Sequence, residues 1–316
     1  MCQEKKRPVG SAGAKAAGLI LLFSLCYSSL FAAAPSSDAV TGAAEKIRVV
    51  TSIEPLSFFV KRVGGDRVHV AVMVPPGANP HSYEPRPAQM AETAKAHLFV
   101  KAGSGIEFEL AWMNKLIALR STMTVCNASQ DVGLREMSER NHGHTYEHER
   151  THEHSRHDPH FWLSPDNAIL IARNVERSLV ALDPVHADEY AENLRKLEAQ
   201  LISLKREITR KLSGIKNRSF MVFHPAWGYY AAAFNLKQIA AEEEGKELTP
   251  KKMQSVIRQA RAEGIRVVFV SPTFSTLQAE TIAREIGGVT RPVDPLSGEY
   301  IANLRQATGA FVESMR

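Results

Sequence analysis

Histidine is concentrated in one part of this chain. Seven of its twelve histidines lie between His142 and His160, in the segment NHGHTYEHERTHEHSRHDPH. Neutral imidazole is the commonest side-chain ligand of zinc-class metals, so this concentration indicates a protein that handles metal ions. The tract at 141–157, which is too polar and charged to pack, contributes six of them: His142, His144, His148, His152, His154 and His157. We expect a mobile surface loop there, and two interpretations stay open: a weak auxiliary trap for metal, or a solvated linker that binds metal incidentally.

Three histidines lie directly beside a proline: His81 in NPH, His160 in DPH and His224 in HP. A neighbouring proline stiffens the loop, which lowers the entropy that is lost when an imidazole is pinned at a metal ion. Three imidazoles and one oxygen complete a tetrahedral zinc shell with bonds of about 2.0–2.2 Å. The fourth candidate is Asp294 in VDP, whose alternative role is to cap the segment that follows.

Short apolar runs and helical stretches alternate along the rest of the chain. In the first half, IRVVTS, VHVAVMV and HLFVKAG alternate with helices expected near 55–63, 87–96 and 108–119. In the second half, FMVFHP, LKQIAA, RVVFVSP and VTRPVDP alternate with helices expected near 226–234, 249–263, 275–287 and 300–315. The third of these should begin with a capping box at 275–278. Apolar runs separated by helices predict an α/β fold with parallel-type sheets covered on both faces.

The predicted domain order is an N-terminal lobe at 45–163, a connecting helix at 164–184 and a C-terminal lobe at 185–316. The segment Ser164-Pro165-Asp166 indicates the start of the connecting helix, since it offers a cap and a first-turn proline. A second long helix is expected at 185–212. Parallel sheets bind ligands at the carboxyl ends of their strands, and clefts between domains are preferred sites, so we expect a metal site between the lobes.

The N-terminus predicts export. Four basic residues precede the uncharged stretch at 16–34, which contains GLILLFSL, so residues 1–34 are typical of a signal peptide. A retained membrane anchor and a lipid anchor on Cys26 are the alternatives. Without residues 1–34, which hold four basic residues and one acidic residue, the formal charge falls from +5 to +2, and nothing favours nucleic-acid binding. Cys126 is the one cysteine beyond the leader, so it is expected in the core without a disulfide.

Several motifs resemble one known family: VVTSIEPL, VHVAVMVPPGANPHSYEPRP, DPHFWLSPDNA, FHPAWGYYAAAF and VDPL. The chain resembles the zinc- and manganese-binding solute receptors of bacterial ABC metal importers, specifically the zinc-uptake branch (ZnuA-like, cluster A-I). The resemblance implies two α/β lobes bridged by a long rigid helix, here 165–182, with the metal between them. It also implies His81, His160 and His224 as ligands, and Asp294 as the carboxylate that some members use. A periplasmic monomer that delivers Zn²⁺ to an inner-membrane ABC permease, without catalysis, follows from the same resemblance.

The third ligand bears on the choice of metal. Manganese receptors of the family have a glutamate where this chain has His224, and three nitrogen ligands favour zinc over manganese. A receptor for manganese or another divalent metal is the alternative. An exported zinc hydrolase would need an open coordination position and a general base, and the chain has no HExxH motif. An adhesin is a third class, which the sequence neither supports nor excludes.

Overall fold

The structure, a computed structural model, describes residues 45–136, 157–242 and 248–316. The signal peptide predicted at 1–34 and the histidines from His142 to His154 lie outside these ranges, so those predictions have no structural counterpart. The described residues belong to one compact unit. Within them, we find no helix with the length and apolar character that crossing a membrane requires.

The first half of the chain forms a parallel sheet of four strands, in the order β2-β1-β3-β4. The strands are β1 (Ile47–Ile53), β2 (Val68–Val74), β3 (Leu98–Lys101) and β4 (Thr124–Asn127). Val50 of β1 is paired with Ala71 on one side and Phe99 on the other. Three helices follow the strands: α1 (Glu54–Gly64), α2 (Pro87–Thr93) and α3 (Glu107–Ala118). All strand pairs are parallel, so the carboxyl ends of the four strands lie at the same edge of the sheet.

The second half repeats this plan, with strand order β6-β5-β7-β8 and all pairs parallel. The strands are β5 (Ser219–Val222), β6 (Lys237–Ala240), β7 (Val267–Val270) and β8 (Val289–Pro292). The helices are α6 (Gly228–Ala233), α7 (Pro250–Ala262), α8 (Leu277–Glu285) and α9 (Tyr300–Ser314). The prediction of an α/β fold with two lobes and parallel sheets is confirmed.

Two long antiparallel helices join the halves: α4 (Pro165–Leu182) and α5 (Ala187–Leu212). Helix α5 packs against α4, against α1 of the first lobe and against α9 of the second. The Asn193 side chain of α5 donates a hydrogen bond to the carbonyl of Val63, and Arg305 of α9 pairs with Glu207 of α5. One continuous apolar core runs from the first sheet through these helices to the second sheet. The exact domain boundaries stay a prediction.

Two local expectations changed. Strand β4 was not predicted, because the apolar run TVC is too short to stand out in the sequence. Cys126 lies in it, is 3% exposed and has a free thiol, so its predicted place in the core is confirmed. The capping box at 275–278 is wrong. Helix α8 begins after Thr276. The Gln278 side chain instead accepts the backbone N–H of Leu248 and donates to its carbonyl, just before α7.

Candidate metal site

Three loops bring His81, His160 and His224 to the space between the two sheets. His81 lies in the loop after β2, where its backbone N–H donates to the Asn79 side chain at 3.0 Å. The backbone N–H of His160, which directly precedes a 3₁₀ turn and α4, donates to Asp158 Oδ1 at 3.0 Å. His224 is the second residue after β5. Local hydrogen bonds therefore fix the backbone of the His81 and His160 loops, and His224 lies close to the end of a strand.

The three imidazole rings lie close together. The ring centroid of His224 is 5.1 Å from that of His81 and 5.3 Å from that of His160, and both pairs meet edge to face. Two imidazoles bound to one tetrahedral zinc ion through bonds of about 2.0–2.1 Å have centroids roughly 5 Å apart. No group of three or more His, Cys, Asp or Glu side chains in the described ranges is yet arranged to hold a metal ion. Coordination of a metal ion here would therefore require adjustment of the side chains.

Each of the three histidines has its own carboxylate at Nδ1. His81 Nδ1 is 2.8 Å from Glu107 Oε2, at the start of α3. His160 Nδ1 is 2.9 Å from Asp158 Oδ1. His224 Nδ1 is 3.3 Å from Glu242 Oε1. Histidines that bind metals commonly use this arrangement, because a carboxylate that accepts the Nδ1 proton leaves the Nε2 lone pair free for the metal and makes it more basic.

These carboxylates differ in how far they are shielded from water. The side chain of Glu242 is 3% exposed, that of Asp158 is 12% exposed and that of Glu107 is 40% exposed. Burial by itself would raise the pKa of Glu107, but the close contact with His81, together with a backbone hydrogen bond and the charge of His160, leaves that pKa below its ordinary value. A carboxylate held ionised beside an imidazole favours the Nδ1–H form that exposes Nε2.

His224 is the most buried of the three rings. Its Nε2 atom is buried and has no hydrogen-bond partner among the described residues. A buried polar atom without a partner costs about 1–3 kcal/mol, which a metal ion at that atom would offset. Burial lowers the pKa of His224 below its ordinary value, against the opposite effect of Glu242, and the nearby His160 and His81 lower it further. His224 is therefore held in the neutral form that binds metals.

A cavity of about 20 Å³ lies among the three rings. Its other lining residues are Pro80, Ile106, Glu107, Pro159, Trp162, Thr273, Phe274, Pro295 and Leu296. One water-sized species needs at least about 10–15 Å³, whereas sites for organic ligands measure some hundreds of Å³. The cavity therefore suits an ion, and its mostly apolar walls would strengthen the electrostatic attraction between the ion and its ligands.

Asp294 is placed differently from the three histidines. It does not line the cavity. Its Oδ1 accepts the backbone N–H of Leu296 at 2.8 Å, which is the capping role considered as its alternative. Burial raises the pKa of its carboxyl group, partly offset by that hydrogen bond. Metal ligation by Asp294 stays a prediction.

Three other described histidines have contacts away from the cavity. His97 Nδ1 accepts the backbone N–H of Arg48, and His186 Nδ1 contacts Asp183. His157, at the end of the histidine-rich tract, forms an isolated antiparallel bridge with Glu136. The backbone N–H of Asp158 also donates to the carbonyl of Arg135, so residues 135–136 and 157–158 meet beside the His160 loop.

The two lobes are joined by hydrogen bonds beside the site. Trp162, two residues after His160, donates its indole N–H to the carbonyl of Pro295 at 2.8 Å. The hydroxyl of Tyr300 donates to the carbonyl of Trp162 at 2.7 Å. Trp162 is 1% exposed and Tyr300 is 2% exposed. Buried hydrogen bonds of this kind fix the distance between the two loops on this side of the cavity.

Sequence reasoning missed Glu107, Glu242 and Phe274. Glu107 is the first residue of α3, six residues beyond β3, and Glu242 lies two residues beyond β6. Phe274 lies in the loop after β7. All three follow the carboxyl ends of parallel strands, which is the rule that drew attention to His81. Their position after a strand was therefore a signal in the sequence. It would have found them only if acidic and aromatic residues at strand ends had been considered as candidates alongside histidine.

Comparison with known proteins decides the family. The profile of the family described as "ZnuA: Zinc-uptake complex component A periplasmic" matches residues 49–314. This chain belongs to that family. The resemblance noted in the sequence is thereby confirmed.

Individual members of the family match over most of their length. The chain is 29% identical over 283 residues to the high-affinity zinc uptake system protein ZnuA of Bacillus subtilis, which covers 88% of each protein. It is 28% identical over 275 residues to a putative metal-binding protein of Treponema pallidum, covering 86% of this chain and 84% of that protein. A crystal structure of ZnuA superposes with a TM-score of 0.79 at 33% identity, over 86% of this chain and all of the other.

Proposed function

We propose that this protein captures Zn²⁺ outside the cytoplasm and delivers it to an ABC-type permease in the inner membrane. The observation that carries the proposal is the cluster of three imidazoles, each with a carboxylate at Nδ1, around a cavity of about 20 Å³. Membership in the zinc-uptake family supports the transport role. Relatives named as zinc-binding or zinc-uptake proteins, including AdcA of Streptococcus pneumoniae, support zinc as the cargo.

The chemistry of the donors also favours zinc. His81, His160 and His224 would supply three neutral nitrogens, which suit zinc better than the oxygen-rich shells preferred by manganese. The fourth position would be filled by Asp294 after a rotation of its side chain, or by a water molecule. The protein has no role as an enzyme in this proposal, since the metal ion is cargo that is bound and released.

The order of events in metal binding follows from which parts of the site are rigid. A hydrated ion loses water as the imidazole Nε2 atoms replace it. The Trp162–Pro295 hydrogen bond holds the lobes together on one side, so binding would proceed by rotation of side chains and small loop shifts. The long helices α4 and α5 and the continuous core oppose a wide hinge motion for the same reason. We expect only small differences in lobe orientation between metal-free and metal-bound forms.

The test is metal binding by purified protein and by single variants. Element analysis of protein dialysed against excess Zn²⁺ should give one tightly bound ion, and titration calorimetry in competition with a chelator should give its affinity. His224→Ala should weaken the tight site by at least about 100-fold, because it removes a ligand and its carboxylate loses its partner. His69→Ala, on an exposed position of β2, is the matched control and should bind as the wild type does.

Deletion of residues 142–156 separates the cavity from the histidine-rich tract. We expect the deletion to leave the tight site in place and to remove only weak binding. If the deletion abolished tight binding and His224→Ala did not, the principal site would lie in the tract and the proposal would be wrong. Equal or tighter binding of Mn²⁺ than of Zn²⁺ would replace zinc with manganese as the cargo.

A further inference from the structure

Phe274 is the aromatic residue of the loop that follows β7. The loop is closed by a hydrogen bond from the Phe274 backbone N–H to the carbonyl of Ser271 at 3.2 Å. The hydroxyl groups of Ser271 and Thr273 are also bonded to each other, at 2.9 Å. Strand β7 pairs with β5, so this loop lies beside the loop that holds His224. The local turn therefore delivers the Phe274 ring to the cavity wall.

The ring of Phe274 contacts two of the three clustered histidines. It stacks on His224, with centroids 4.4 Å apart and planes inclined by 24°. It also meets His81 at 5.8 Å with an inclination of 53°. His81 is the more exposed of these two, with a side chain that is 25% exposed against 7% for His224. Phe274 thus lies between the buried part of the site and its more open side.

We propose that Phe274 is a positioning residue that holds the ring plane of His224 and shields the bound ion from water, so that it slows metal release. The inference deepens the proposed zinc-binding function and depends on it. Phe274 supplies no ligand atom, so its effect is on the lifetime of the complex more than on the rate of capture.

Two physical effects point in this direction. An imidazole bound to Zn²⁺ carries part of the positive charge of the ion, and the face of an aromatic ring attracts positive charge, so the stack is stronger with metal bound than without it. In addition, a water molecule must reach the ion before a ligand can be replaced. An apolar ring over the site obstructs that approach and keeps the local dielectric constant low.

The experiment measures the rate of zinc loss from the holoprotein to an excess of a coloured chelator by stopped flow, together with equilibrium affinity. Phe274→Ala should lose zinc roughly 5- to 30-fold faster than the wild type, the range expected from an aromatic–cation contact. The association rate should change by less than about threefold. Phe274→Tyr keeps the ring and should restore slow release, while Phe274→Leu keeps apolar bulk without the aromatic face and should restore it only in part.

Leu277→Ala is the matched control, because this residue is on the same segment, is 68% exposed and does not line the cavity. It should release zinc at the wild-type rate. The metal-free form of Phe274→Ala should unfold at the wild-type temperature within about 2 °C, which separates site effects from loss of fold. Release by Phe274→Ala within twofold of the wild type, with tight binding intact, overturns the role of Phe274 alone. Absence of tight zinc binding by the wild type instead overturns the proposed function.

Discussion

Replacing Glu242 with glutamine tests whether a carboxylate at Nδ1 sets the affinity of His224 for metal. Glu242 is 3% exposed at its side chain, and its Oε1 lies 3.3 Å from His224 Nδ1. The backbone N–H of Glu242 donates to the carbonyl of Phe223, so the main chain keeps its anchor in the variant. Glutamine has nearly the same shape, but it is neutral and can also donate from its amide. It therefore weakens the preference for the Nδ1–H form and makes Nε2 less basic.

The size of the effect follows from contact length and burial. Loss of a carboxylate partner of a metal-binding histidine typically costs about 10–100-fold in affinity. The 3.3 Å contact is longer than an ideal charge-assisted hydrogen bond, which argues for the lower end, while burial limits screening by water. We expect Glu242→Gln to weaken zinc binding about tenfold, or about 1.4 kcal/mol. Glu107→Gln should weaken it to a similar extent, because the shorter 2.8 Å contact of Glu107 with His81 is offset by the greater exposure of the Glu107 side chain, 40% against 3%.

Competition calorimetry at pH 7.5 is the assay, with Glu299→Gln, an exposed position before α9, as the control. Protonation cannot explain a loss at this pH, because the Glu242 contact raises the pKa of His224 and its removal lowers that pKa further. A Glu242→Gln protein that binds zinc within twofold of the wild type would refute the reasoning.

Three further predictions concern the pH dependence of zinc binding, the hydrogen bond between Trp162 and Pro295, and the close approach of Gly228 to Asp158. Zinc affinity should fall as the pH drops below about 6.5, since protons compete for imidazole. Burial lowers the pKa of His224, so its contribution to stability is complete above that pH and is lost as the pH falls towards the lowered pKa. Trp162→Phe should reduce the free energy of unfolding by about 1–3 kcal/mol, measured with urea, because it leaves the Pro295 carbonyl without its donor. Gly228→Ala should weaken zinc binding several-fold, about 1 kcal/mol, since its Cβ would lie 2.5 Å from Asp158 Oδ2 and displace that carboxylate.

Each of these three predictions has a result that would contradict it. Equal zinc affinity at pH 5 and pH 7.5 would contradict a shell made of histidines. Gly214→Ala, whose Cβ would meet no atom within 4 Å, should leave zinc binding unchanged. If Gly228→Ala bound zinc as tightly as Gly214→Ala, the contact with Asp158 would have no bearing on the site. An unchanged free energy of unfolding for Trp162→Phe would show that the Trp162–Pro295 hydrogen bond adds no stability.

The regular elements of this protein were largely evident from its sequence. Helix α4 has the predicted bounds of 165–182, because a first-turn proline begins it and its apolar residues keep helical spacing until Asp183-Pro184. Periodicity and turn residues are local signals, so they define strands and helices without knowledge of the fold. The same local signals identified the proline-flanked histidines as candidates.

What each histidine touches was decided by the tertiary structure. Glu242 follows His224 by eighteen residues, and Phe274 follows it by fifty, yet both contact its ring. These contacts arise because parallel strands that are distant in the sequence end at one edge of a sheet. Sequence spacing does not encode that proximity. For Asp294, the sequence left ligation and capping open, and only the folded loop shows its Oδ1 accepting the backbone N–H of Leu296. The residues that can bind metal are therefore properties of the chain, whereas their orientation, burial and partners are properties of the fold.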